Sequence, residues 1–138
     1  MPASGSADGY WRGRLALRIE AAEPSAFFAS FELSGHAESG ELLLSTPLGG
    51  TLAQLRWTPQ QALLRSHGET RSFDSLGALA EEATGTAIPI AALFAWLQGQ
   101  PATADGWQAD LSQLAEGRLL ARRSAPAPVA ELRLILEP

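Results

Sequence analysis

The chain has 138 residues, of which 46% are hydrophobic and 18% charged, which suffices for one packed core and not for two. Its formal net charge of -5 argues against a phosphate-backbone binder, since a basic face supplies most of that affinity. The lack of cysteine excludes disulfides, thiolate metal sites and cysteine nucleophiles, and no run approaches the roughly eighteen apolar residues of a spanning helix.

Residues 1–10 show neither a basic region nor an apolar run and read as a flexible leader or cloning remnant; either a native signal and anchor have been cut away, or the chain is a reduced form that works without its own anchor. Residues 11–138 are expected to form one domain. From Trp11 the sequence alternates with period two, placing Leu15, Leu17 and Ile19 on one side and Arg12, Arg14, Arg18 and Glu20 on the other. After a turn at Glu23-Pro24-Ser25, the residues Phe27, Ala29, Phe31 and Leu33 repeat the pattern. A turn-like stretch from Gly35 to Gly40 then leads to Leu42 and Leu44. Ala53, Leu55 and Trp57 share one face of the next strand, and shorter strands are expected at Ala62–Ser66 and Thr70–Phe73.

The period then becomes helical. Asp74 or Ser75 supplies an N-cap, Leu76, Leu79, Ala80 and Ala83 share a face, and Gly85 suits the exit. A second helix opens beside Pro89, runs from Ile90 to Gln98 and stops at Gly99. It is apolar all round, so it is either enclosed or facing something greasy. Alternation returns at Trp107–Leu111, around Arg118–Arg123 and at Leu132–Leu136. Roughly nine strands and two short helices imply a mainly β, α+β fold. The helices are too small to cover so large an apolar face. The antiparallel sheet is therefore expected to curl into an unclosed barrel with the helices over a hydrophobic cavity.

Catalytic signals are weak, and no enzyme, cofactor or metal is expected. His36 and His67 sit in turn-like segments, and Glu81 and Glu82 diverge by about 100° on a helix, too far to converge as an acid and base pair. Arg122-Arg123 reads as one outward residue and one near a strand end. The four tryptophans are core candidates, with Trp96 the best placed to line a pocket. The sharpest local feature is Thr46-Pro47-Leu48-Gly49, which fits a type I turn with Leu48 at its third place. Leu48 then either folds back onto the sheet or stands exposed as a membrane-touching or cargo-pushing tip.

Taken together, Trp11-Arg12-Gly13-Arg14-Leu15-Ala16-Leu17, Phe31-Glu32-Leu33, Gly40-Glu41-Leu42-Leu43-Leu44-Ser45-Thr46-Pro47-Leu48-Gly49 and Ile88-Pro89-Ile90 through Leu93-Phe94-Ala95-Trp96-Leu97-Gln98-Gly99 resemble the LolB family. The resemblance covers most of residues 11–99. It implies an unclosed barrel with a helical lid on the periplasmic face of the Gram-negative outer membrane, receiving acylated lipoproteins from a LolA-like carrier and inserting them into that membrane. It also implies a membrane-insertion loop of Pro47, Leu48 and Gly49, with Leu48 at its tip. An acyl-chain cavity is then expected among Phe27, Phe31, Leu42, Leu44, Leu93, Phe94 and Trp96. Family members begin at a lipidated cysteine followed by an additional helix, a pattern that residues 1–10 do not match. A monomer is expected, since a transfer mouth must stay accessible. The competing reading is a periplasmic carrier or binding module for free fatty acids or other lipids, without a protein client. A third is a scaffold with a filled core.

Overall fold

The computed structural model describes residues 9–86, 88–102, 106–125 and 129–137. Most of the expected leader therefore lies outside the described residues. Gly9 and Tyr10, however, already belong to the first strand: they pair with Gly35 and Ser34, and the Tyr10 hydroxyl donates to Glu32 Oε1 at 2.6 Å. That bond to an anion holds the phenol's pKa above its ordinary value.

Among the described residues, nine strands form one antiparallel sheet. They are β1 (Gly9–Glu20), β2 (Ser25–His36), β3 (Ser39–Ser45), β4 (Thr51–Thr58), β5 (Gln61–Ser66), β6 (Glu69–Phe73), β7 (Trp107–Asp110), β8 (Arg118–Arg123) and β9 (Val129–Leu136). Their spatial order is β6-β5-β4-β3-β2-β1-β9-β8-β7. The first six make a meander, and the last three return on the far side of β1, so the first and last strands are neighbours. The sheet is not closed, and its free edges, β6 and β7, are short. Short edges leave few unpaired backbone groups to recruit a stray strand.

Between those edges the chain forms α1 (Leu76–Thr84) and α2 (Ile90–Leu97). Ser75 caps α1, its Oγ accepting from the Ala78 amide at 3.0 Å, and Gly85 ends it with a φ of 100°. Helix α1 packs against β4, β5 and β6. Helix α2 buries Ile90, Ala92, Leu93, Phe94, Trp96 and Leu97, so its all-round apolar character reflects enclosure.

The period-two residues of β1, β2, β3, β4, β5, β8 and β9 meet in one core with both helices and Trp107. Curvature of the sheet is visible in the contacts of Phe94. Trp11 of β1 and Trp57 of β4 both meet its ring edge-on, with centroids 5.8 and 6.1 Å away. In a flat sheet those strands would stand about 14 Å apart. The sheet thus wraps around α2. Gly13 of β1 permits one tight approach within this curl, since a Cβ there would fall 1.9 Å from the Ile135 carbonyl oxygen of β9.

The stretch from Gly35 to Gly40 is more regular than its composition suggests. Strands β2 and β3 run into it, pairing Gly35 with Gly40 and His36 with Ser39, and only Ala37 and Glu38 remain as the turn. Gly35 makes this possible with a φ of 98°. His36 is consequently a strand-end residue whose carbonyl accepts from Trp57 Nε1 at 3.3 Å, while His67 lies with Gly68 in an exposed two-residue turn.

Candidate functional site

Strand β3 ends at Ser45, where the pairing with β4 shifts register, and the chain turns through Thr46–Gly50 before β4 begins. The turn is tied by its own backbone. Gly49 N donates to the Thr46 carbonyl at 2.9 Å, Thr46 N donates to the Gly50 carbonyl at 2.8 Å, and Gly50 N donates to Thr46 Oγ1 at 3.1 Å. Gly49 adopts a φ of 95°, a conformation that disfavours a side chain although nothing crowds the site. Pro47 presets the turn, and Leu48 is left 99% exposed. Of the two fates expected for Leu48, folding back onto the sheet is therefore excluded.

The residues expected to line a cavity divide into two groups. Phe31, Leu42, Leu44, Leu93, Phe94 and Trp96 are all buried and belong to the central cluster. Leu42 and Leu44 project from β3, Phe31 faces Leu44 across the β2–β3 pair, and α2 supplies the other three. Phe27 differs. It is half-buried at the end of the sheet that carries the Leu48 loop, and it helps to line a cleft of about 330 Å³ with Leu52, Ala53, Leu64 and Ala83. Arg71 and Glu82 cross the cleft with a 3.2 Å ion pair, joining β6 to α1. Ser66, His67 and Glu69 complete its lining, so the cleft at the base of the protruding loop is part apolar and part polar.

All four tryptophans pack in or against the core. Trp96 is fully buried, its Nε1 donating to the Ala102 carbonyl at 3.0 Å, which fixes the end of α2 to the segment that follows it. Trp107 is buried under the Arg123 guanidinium, 5.6 Å above its ring, and among the described residues its Nε1 has no hydrogen-bond partner. The Arg122-Arg123 doublet splits as its sequence suggests. Arg122 lies on the outer face near Glu20 and Glu131, at 3.6 and 3.7 Å, whereas Arg123 covers Trp107. Among the described residues no three His, Cys, Asp or Glu side chains group to hold a metal, and no helix is long and apolar enough to cross a membrane.

Comparison with known proteins gives a consistent result. The family described as Outer membrane lipoprotein LolB matches residues 10–126. Proteins named Outer-membrane lipoprotein LolB are similar to this chain in several organisms. The one from Bordetella petrii is 30% identical, with 95% of this chain and 79% of that protein covered. The one from Cupriavidus pinatubonensis is 33% identical over 83% of this chain and 56% of its own length. The one from Cupriavidus taiwanensis is 36% identical over 73% and 55%. The chain thus spans between about half and four-fifths of the relatives it matches.

Proposed function

The chain belongs to the LolB family of outer-membrane lipoproteins, and from that premise we propose that it receives acylated lipoproteins from a LolA-like periplasmic carrier and inserts them into the outer membrane. It works on the periplasmic face of that membrane, and its job is transfer rather than catalysis. The observation that carries the reading furthest is Leu48, fully exposed on a loop that its own hydrogen bonds hold out.

Transfer of this kind needs no nucleotide. Each buried methylene contributes about 0.8 kcal/mol, so cargo moves downhill if every successive site covers the acyl chains better than the last. In this reading the chains enter among Phe27, Phe31, Leu42, Leu44, Leu93, Phe94 and Trp96, by way of the cleft beside Phe27. The buried members of that set have to part as the chains go in. An interior already packed without cargo keeps the affinity moderate, because repacking opposes entry and favours release. Leu48 then touches the lipid surface. One leucine supplies only about 2 kcal/mol, which suits a contact that must be made and broken at every delivery. A monomer leaves the mouth accessible to the carrier on one visit and to the membrane on the next.

Release into liposomes tests this directly. Leu48→Glu is expected to accept lipoprotein from the carrier as the wild type does and to deliver it far more slowly. Delivery at the wild-type rate would contradict the reading.

A further inference from the structure

The outer face of β1 and its neighbours carries a second feature, separate from the interior and from the Leu48 loop. Arg12, Arg14, Arg18, Arg118, Arg122 and Arg133 all project there and are exposed, which gathers six of the ten basic residues of a net acidic chain onto β1, β8 and β9. Ala16 stands at the centre of this group. Along β1 it is flanked by Arg14 and Arg18, two residues away on either side and so on the same face, while Arg133 of β9 and Phe28 of β2 stand directly across from it. The small side chain of Ala16 is thus surrounded, on one face of the sheet, by Arg14, Arg18, Arg133 and Phe28. Phe28 is 58% exposed, one of the few large apolar residues left in water. Glu137 pairs with Arg12 at 3.7 Å, Glu20 and Glu131 with Arg122 at 3.6 and 3.7 Å, and Glu131 with Arg133 at 3.0 Å, whereas among the described residues neither Arg14 nor Arg18 makes an ion pair or a side-chain hydrogen bond.

This cluster is also placed towards the loop. Ser45 pairs with Ser30 and Ser30 with Arg14, so the Leu48 loop leaves the sheet at the row of Arg14. Phe28 and Arg18 lie further along in the direction in which the loop projects. We infer that the outer face around Ala16 is a second membrane-contact surface, on which Arg14, Arg18 and Phe28 engage anionic phospholipid headgroups while Leu48 enters the lipid. The inference rests on the delivery role proposed above. Its chemistry is that of an interfacial patch, in which guanidiniums meet phosphates and a flanking aromatic ring sits at headgroup depth. It also supplies what the loop lacks, since a single apolar contact holds a membrane only marginally and a basic patch is the usual second signal. The combination of charge with an exposed phenyl ring, towards the end of the sheet that carries the apolar tip, favours a lipid surface over an acidic protein.

Vesicle flotation tests it, using phosphatidylcholine vesicles against an equimolar mixture of phosphatidylcholine and phosphatidylglycerol. The wild type should prefer the anionic vesicles and lose the preference in high salt. The double variant Arg14→Gln/Arg18→Gln should lose about 10- to 30-fold of that preference, whereas Arg14→Lys/Arg18→Lys should keep most of it. Leu48→Ser, which removes the apolar tip without adding charge, should weaken binding to both vesicles and leave their ratio unchanged. Equal binding of the wild type to both vesicles, or an unchanged ratio in the glutamine variant, overturns the inference. So does a glutamine variant that keeps the ratio but no longer takes cargo from the carrier, which would make this face a protein-docking site. None of these outcomes touches the delivery role, which stands or falls on release by Leu48→Glu.

Discussion

Leu48 and Gly13 show how little of a residue's importance follows from its size. Leu48 touches nothing that holds the fold together, so Leu48→Glu should shift unfolding by no more than about 0.5 kcal/mol, a separation of stability from delivery that chemical denaturation can verify. Gly13 has no side chain, yet it sets the distance between the first and last strands. Gly13→Ala would drive a methyl group into the Ile135 carbonyl, and it should destabilise the protein by several times the change at Leu48, seen as a lowered denaturation midpoint. Both positions were marked in the sequence, for different reasons. The Pro-Leu-Gly turn exposes its third residue by local geometry alone, and local geometry is what a sequence encodes most directly. The close approach at Gly13 depends on β9, more than a hundred positions away, and only the family resemblance drew attention to it.

Among the elements, α2 matters most, because the sheet curls around it. Phe94 is the ring that both Trp11 and Trp57 meet, and Phe94→Ala should cost about 3–5 kcal/mol in thermal or chemical unfolding. Ser75→Ala, which removes only the α1 cap, should cost about 1 kcal/mol in the same assay. The strands were legible because their inward residues alternate strictly, as in the run Leu42, Leu44 or the run Leu15, Leu17. The helices were legible because Ser75, Gly85, Pro89 and Gly99 bracket them. Strand ends were less so, since the residues around Gly35 and Gly40 resemble a loop and become strand only through pairing with each other. The cluster around Ala16 escaped notice entirely. Alternation assigned its arginines to the solvent side, but it is the register of β1 against β2 and β9 that brings Arg14, Arg18, Arg133 and Phe28 around a single alanine.

At the scale of the whole molecule, the unclosed sheet and the two helices across its gap form one packed body with an end that differs from the rest. That end carries the Leu48 loop, the Phe27 cleft and the Arg71–Glu82 clasp. If acyl chains enter there by displacing α2 from the sheet, its backbone amides should exchange with solvent faster once cargo is bound, while those of β1 and β9 stay protected. The central claim is that this domain accepts acylated lipoproteins from a carrier by their acyl chains. Its most direct test is to present a lipoprotein on a LolA-like carrier, in acylated and unacylated forms, and to recover the purified domain by affinity pull-down. The account predicts that the acylated form moves across and the unacylated form stays behind. Failure of both to move, with free fatty acid still bound by the domain, would contradict it and leave a lipid-binding module without a protein client.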